Sequence, residues 1–437
     1  SGDGKRGRNS GRSNERMTDT GRNTMDTAEQ IPAATANRFL PYGRQLVTDD
    51  DIAEVVTALR SDFLTQGPAV PRFERHIADY IGAEHVVACS NGTAALHLAM
   101  LALRLKPGDI VVTSPITFVA SANCARYAGV DVQFVDIDPA TGLMDVDRLA
   151  TLLSRDNEKK IKAVIPVHFA GQPIDLAHLY GLVKGHGAWV VDDACHALGA
   201  RYGANGDWFH AGGSPHSDMT VFSFHPVKHV ATGEGGAIAT RDCVLATRLQ
   251  TLRTHGITRD DFAEAGMSLS PDGLANPWYY EMQMLGYNYR LTDIQAALGS
   301  VQMRRLGWSV KRRNEIAETY RSFFAEHFDP AVVHPLTLKT RVEHAWHLFV
   351  LQIDFQRLKM SRARVMNLLR DAGIGTQVHY IPVHLQPYYR SLYGCKRGDF
   401  PLAEAWYEKA LSIPMYPSLT DDDVERVVQT IKAILQP

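Results

Sequence analysis

The sequence predicts an α/β protein, with a large, mostly parallel sheet covered by helices on both faces and a smaller C-terminal α+β domain behind it. Three observations lead there. Between residues 39 and 300, short β-branched runs alternate with helical patterns; after Ser300 a long charged helical pattern begins, with further strands and helices behind it; and residues 1–38 show neither period.

Residues 1–38 contain Ile31 as their one branched aliphatic and no aromatic, and Gly, Ser, Asn, Arg and Thr dominate. Such a segment cannot bury enough surface to order itself, so a disordered tail is expected, with Met17 and Met25 as candidate translation starts. Its basic residues Lys5, Arg6, Arg8, Arg12 and Arg16 are read as a solvated tail in preference to a nucleic-acid arm.

From Phe39 onward, His85–Ser90, Asp109–Ser114, Val132–Ile137, Ile161–His168, Ala188–Ala194, Met219–His225 and Gly235–Thr240 are apolar, strand-length and mostly bounded by Gly, Pro, Asp or Asn. Near-continuous apolar strands separated by helices imply burial on both faces. A long helix is expected over Gln302–His327, then an apolar run Trp346–Asp354, a helical stretch Ser361–Ala372, the segment Gly375–Tyr380 and a closing helix Asp421–Leu435. The expected organisation is tail 1–38, large domain 39–300 and small domain 301–437, with a ligand cleft between the last two.

Composition narrows the function. Lys and Arg number 46 against 48 Asp and Glu, a net charge of −2, so no overall field favours nucleic acid or an anionic membrane. The longest apolar stretch, Ala94 to Leu105, contains His97 and Arg104 and is too short to span a bilayer. Cys89, Cys124, Cys195, Cys243 and Cys395 are odd in number and contain no C-x-x-C pair, which predicts neither a disulfide framework nor a metal site and fits a cytoplasmic protein.

Three segments carry chemistry. In Val221-Phe-Ser-Phe-His-Pro-Val-Lys-His-Val-Ala-Thr-Gly-Glu-Gly-Gly236 a buried-looking strand runs into a turn presenting Lys228, followed by glycines that let backbone approach closely. A lysine is ordinarily a solvated surface residue, but one held out of water loses its proton more readily and becomes a nucleophile or base. Val190-Val-Asp-Asp-Ala-Cys-His-Ala-Leu-Gly199 places Asp192 and Asp193 at the carboxyl end of a strand, where they are either helix-capping acids or, one of them, a group facing a ligand crevice. Cys89-Ser-Asn-Gly-Thr-Ala-Ala-Leu-His-Leu98 reads as a strand, a small-residue turn and a helix start, which is a good cap and also a phosphate cradle. Lysine, carboxylate and phosphate cradle in one sheet are what pyridoxal 5′-phosphate requires.

With those residues in view, the sequence from about Tyr42 to the C-terminus resembles the DegT/DnrJ/StrS-type nucleotide-sugar aminotransferases, pyridoxal phosphate enzymes of fold type I. The resemblance implies that Lys228, in Ser-Phe-His-Pro-Val-Lys, holds the cofactor covalently; that Ser223, Gly92 and Thr93 bind its phosphate; that Asp193 pairs with the pyridine nitrogen; that His196 lies near the ring oxygen; and that Phe118 stacks on the ring. It implies also that Asn288, in Leu285-Gly-Tyr-Asn-Tyr-Arg290, reaches the cofactor phosphate of a second subunit, hence a homodimer with shared active sites.

Phe63-Leu-Thr-Gln-Gly-Pro68, Trp278-Tyr-Tyr-Glu-Met282, Val378-His-Tyr380 and Leu411-Ser-Ile-Pro414 are similar to the branch that makes UDP-4-amino-4,6-dideoxy-N-acetyl-β-L-altrosamine for pseudaminic acid. That branch implies L-glutamate as donor, a UDP-4-keto-6-deoxy sugar as acceptor, and Tyr42, Leu64, Thr65, His379 and Tyr380 around the sugar nucleotide. Other 4-keto nucleotide sugars are the alternative acceptors. Arg290 is the candidate clamp for the glutamate carboxylate, because a guanidinium fork matches it. Relatives that dehydrate keto sugars carry His in place of the lysine, and this chain has Lys228.

Overall fold

The structure, a computed structural model, describes residues 38–436; the expected tail lies outside them except for Arg38, which ion-pairs with Asp423. The large sheet has seven strands: β1 (His85–Cys89), β2 (Ile110–Thr113), β3 (Asp131–Phe134), β4 (Ile161–Ile165), β5 (Trp189–Asp193), β6 (Met219–Ser223) and β7 (Gly236–Thr240), in the spatial order β1-β7-β6-β5-β4-β2-β3. Pairings β6-β5-β4-β2-β3 are parallel, and β7 runs antiparallel to both its neighbours. The prediction of a mostly parallel sheet holds. β4 and β6 stop short of the expected His168 and His225; at β4 the chain meets Pro166, which has no N–H to donate to a ladder.

Helices α1 (Asp49–Leu59), α2 (Ala69–Ile81), α3 (Gly92–Ala102), α4 (Ala120–Tyr127), α5 (Val146–Arg155), α6 (Leu176–His186), α7 (Cys243–Arg253) and α8 (Asp293–Arg304) accompany the sheet. Side chains alternate across a strand, so each strand feeds two cores. Val87, Val111, Val191 and Val221 pack with residues of α3, α4 and α7. Val112, Val164 and Val190 pack with α5 and α6, and Ala88 and Phe222 with α2 and α8.

The helix expected over Gln302–His327 is broken. Its first residues belong to α8, and α9 (Leu306–His327) starts only after Arg305, whose guanidinium is held by Asp51 and the carbonyl of Leu46. Beyond it, β8 (Val333–Pro335), β9 (Phe349–Ile353) and β10 (Ala410–Ile413) form an antiparallel sheet against α9, α10 (Arg362–Asp371) and α11 (Asp421–Leu435). The apolar run beginning at Trp346 becomes strand only from Phe349, because Trp346 takes a left-handed backbone with φ 49°. Gly375–Tyr380 is extended but forms no strand; Gln377 makes one bridge to Ser412. Leu40, assigned by sequence to the large domain, instead packs in this C-terminal core and bridges Ile374. Residue 300 lies inside α8. The hairpin Arg201–Ala204 with Asp207–His210 was not anticipated.

Candidate active site

Topology explains why the three chemical segments meet. β7 is antiparallel to both β1 and β6, so β1 runs in the same direction as β5 and β6, and the carboxyl ends of all three reach one edge of the sheet together with the amino end of β7. Open α/β sheets collect ligands at that edge. A cavity of about 930 Å3 lies there. Gly92, Thr93, Phe118, Asp193, His196, Ser223 and Lys228 all line it, as do Tyr42, His379 and Tyr380.

The strand period decides between the two acids. Asp192 has the parity of Val190 and is wholly buried toward the α5 and α6 side, where Thr220 Oγ1 donates to it at 3.3 Å and His168 Nε2 stands 3.6 Å away. Burial raises its pKa, with His168 and Thr220 opposing. Asp193 has the parity of Val191 and faces α4 and the cavity; its Oδ2 accepts from Ser121 Oγ at 2.6 Å and its Oδ1 from the Cys195 N–H at 3.1 Å. Ser121 thus positions Asp193, a contact that sequence reasoning missed although Ser121 begins one turn after Phe118.

Lys228 sits at the cavity wall with its Nζ 3.5 Å from His347 Nε2. Removal from bulk water lowers its pKa, and the charges of Cys195 and Asp193 oppose that shift. Around it stand His196, His229, His347 and His379, each held below the ordinary imidazole range chiefly by burial and then by positive neighbours, Lys228 among them; His379 falls to about 3. Neutral rings add no positive charge beside the amine. His196 Nδ1 accepts from the Ala170 N–H at 3.3 Å, its Nε2 lies 3.1 Å from the Tyr380 hydroxyl, and its ring is 4.3 Å from that of His347. Sequence reasoning also missed His347, in the unremarkable stretch His344-Ala-Trp-His347.

The candidate phosphate cradle lies at the start of α3. The Asn91 side chain caps it by accepting from Ala94 N–H at 2.8 Å, which leaves the first N–H groups, at Gly92 and Thr93, free of intrahelical partners at the cavity wall. A Cβ on Gly92 would come within 2.9 Å of Ser223 Cβ and 3.1 Å of its Oγ. A Cβ on Gly236 would meet the Asn91 carbonyl at 2.4 Å, so β7 can approach this turn only as glycine. Opposite, Tyr42 and His379 rings lie 5.2 Å apart, Phe118 and Tyr380 rings 6.2 Å apart, and His379 Nδ1 is 2.8 Å from Ser412 Oγ.

Four expected residues are elsewhere in this chain. Leu64, Thr65, Asn288 and Arg290 do not line the cavity. Thr65 bridges Thr292 and the Leu64 carbonyl accepts from Asp293 N–H at 3.0 Å, whereas Asn288 bridges Thr254. Leu64 and Asn288 are exposed. Among the described residues no cluster of His, Cys, Asp or Glu is arranged to hold a metal ion.

Residues 45–432 match one aminotransferase family from end to end. The chain belongs to the DegT/DnrJ/EryC1/StrS aminotransferase family. It is 39% identical over 406 residues to the spore coat polysaccharide biosynthesis protein SpsC of Bacillus subtilis, covering 92% of this chain and 98% of SpsC. Among solved structures it superimposes with a TM-score of 0.80 on Helicobacter pylori PseC, an aminotransferase involved in the biosynthesis of pseudoaminic acid, at 26% identity over 91% of this chain and all of PseC. It superimposes at 0.79 on the PLP-form of Streptococcus pneumoniae Spr1654, at 29% identity, covering 91% and 99% of the two chains. The fold is therefore that of the fold type I sugar aminotransferases, and the cofactor is pyridoxal phosphate. The residues present fit it: a glycine whose Cβ would fill the cradle, open helix N–H groups, a carboxylate on the cavity side of β5 and a desolvated lysine. No described helix is long and apolar enough to cross a membrane.

Proposed function

We propose that the protein transfers the amino group of L-glutamate to C4 of a UDP-4-keto-6-deoxy-N-acetyl-hexosamine, giving UDP-4-amino-4,6-dideoxy-N-acetyl-β-L-altrosamine for pseudaminic acid. The observation that carries the reaction is one cavity wall bearing Lys228, Asp193 and the Gly92 cradle, with the Tyr42, His379 and Tyr380 wall left for a sugar nucleotide. Similarity to PseC supports the acceptor. The greater identity with SpsC favours a second reading, another 4-keto nucleotide sugar built into a polysaccharide.

Bound at this site, pyridoxal phosphate supplies an electron sink for bonds broken at the donor α-carbon. Gly92 and Thr93 N–H groups and the Ser223 hydroxyl hold the phosphate. Asp193, fixed by Ser121, favours a protonated partner at the nitrogen it faces. Lys228 Nζ, whose burial favours the free amine, takes the α-proton of glutamate and returns a proton at the end of the half-reaction, acting as base and then acid. The contact between His196 Nε2 and the Tyr380 hydroxyl fixes Tyr380 in the cavity wall, and Phe118, on the same wall, would stack on the cofactor ring.

We assign Leu64, Thr65, Asn288 and Arg290 to the neighbouring active site of a homodimer, since none of them lines this chain's own cavity. The free state of all five cysteines supports a cytoplasmic location. The test offers the glutamate-reacted enzyme a panel of 4-keto sugars on UDP, dTDP and GDP and identifies the product by NMR. Amination chiefly of the UDP-4-keto-6-deoxy-N-acetyl-L-altro sugar supports the assignment, and preference for a pentose or another nucleotide moves the pathway.

A further inference from the structure

Behind the lysine lies a second, small cavity of about 20 Å3, lined among others by Lys228, Arg305, Ser309 and Arg313. Ser309 and Arg313 are four residues apart and so share one face of α9, with Arg305 at the break just before it. Their polar atoms are unequally served. Arg305 is neutralised by Asp51 and also donates to the Leu46 carbonyl at 3.0 Å.

Arg313 is 1% exposed, and no carboxylate among the described residues forms an ion pair with it. Its Nη1 donates to the carbonyls of Trp346 and Met415 at 2.9 and 3.0 Å, while its Nε has no partner. Ser309 is 5% exposed, and its Oγ is likewise without a partner. Burial lowers the Arg313 pKa to about 9, still cationic at neutral pH. A buried cation with no counter-charge is strongly unfavourable, and a buried hydroxyl left unpaired adds to it.

We propose that this cavity is a binding site for one monoatomic anion, chloride in the cell, held by the Arg313 guanidinium and the Ser309 hydroxyl. The volume admits about one water-sized species, the size class of a monoatomic anion. The charge selects an anion over water. Arg44 is a further cation on the cavity wall without an ion pair among the described residues, and Asp51 is already taken up by Arg305. Arg44 and Gln45 also line the cavity and are exposed, which gives an ion a route from solvent. The anion is the missing counter-charge of a buried arginine, and its presence does not depend on which sugar the enzyme aminates.

The test uses the full chain loaded with pyridoxal phosphate. Thermal midpoints are measured in chloride, bromide and gluconate at fixed ionic strength, and anomalous diffraction is collected from crystals grown in bromide. The expected result is a saturating rise of Tm with chloride or bromide, none with gluconate, and a bromide peak between Arg313 and Ser309. Ser309→Ala weakens the apparent anion affinity by about tenfold through the lost hydrogen bond, and Arg313→Met abolishes the halide dependence. Equal midpoints in chloride and gluconate, or a water at that position with no anomalous signal, would overturn the proposal. Should Arg313→Met fail to fold, Ser309→Ala and the bromide peak still decide.

Discussion

Gly92→Ala isolates the phosphate cradle from every other part of the site. Gly92 is the first residue of α3 and has a right-handed backbone, so alanine fits the helix and gains about 1 kcal/mol of intrinsic propensity. The new methyl carbon, however, would lie 2.9 Å from Ser223 Cβ and 3.5 Å from Cys195 Sγ. Ser223 Cβ is anchored on β6 and cannot rotate away, so the contact strains the fold by about 1–3 kcal/mol, which the propensity gain largely offsets. The cofactor bears the larger effect. Displacing the Ser223 hydroxyl removes a hydrogen bond to a charged phosphate, and the methyl occupies space beside the helix N–H groups, together about 2–4 kcal/mol of binding, or roughly thirtyfold to several-hundredfold in Kd. The assay is titration of the cofactor-free protein with pyridoxal phosphate, read by its visible absorbance. Gly181→Ala in the middle of α6 serves as the control: nothing lies within 4 Å of its Cβ, so it should stabilise slightly and leave the affinity unchanged. Wild-type affinity in Gly92→Ala, with unaltered stability, would refute the placement of the phosphate.

Further outcomes follow from the same geometry. Asp193→Asn should lower the glutamate half-reaction by about a hundredfold or more, whereas Asp192→Asn should alter thermal stability and leave that rate nearly intact, because the two side chains leave β5 on opposite faces. Ser121→Ala should slow the same step by up to about tenfold through the lost 2.6 Å contact, measured by stopped-flow absorbance. Co-expressing Lys228→Ala with Asn288→Ala should recover activity that neither shows alone, as expected if Asn288 of the partner subunit serves each site. Acid stability carries its own signature. His196, His229, His344, His347 and His379 have folded pKa values below the unfolded 6.5, so the unfolded chain binds more protons between those values. Their stabilisation is complete above 6.5 and is lost as pH falls toward the folded values, about 3 for His344 and His379. Denaturant midpoints should therefore fall as pH drops below 6.5 and change little above it.

The strand that leads to Lys228, and the lysine's place at its end, were legible because their signals are local. Lys228 and its glycine-rich return lie within one short segment, and the Asp192–Asp193 pair marks the end of a strand whose period fixes which acid faces which core. Local signals cannot give contacts set by tertiary packing. Ser121 lies 72 residues from Asp193, and His347 lies 119 from Lys228. No pattern in either segment points to its distant partner. The break between α8 and α9 was hidden for a similar reason: it falls at Arg305 and not at the nearby Gly307, and the partner that fixes Arg305, Asp51, is on α1. Leu40 reads as part of the large domain by position and reaches the C-terminal core only because the chain runs beside Ile374. Leu64, Thr65 and Asn288 came from family resemblance and Arg290 from the match of a guanidinium to a carboxylate, and a single chain does not bring them to its own cavity.

The central claim is that Lys228 carries out transamination at this cavity, and the most direct measurement is a single-turnover reaction of the cofactor-loaded enzyme with L-glutamate. The expected result is loss of the visible band of the lysine-bound cofactor together with one equivalent of 2-oxoglutarate per active site, and neither in a folded Lys228→Ala protein. Formation of 2-oxoglutarate by Lys228→Ala at the wild-type rate, or no response of the wild-type band to glutamate, would contradict it.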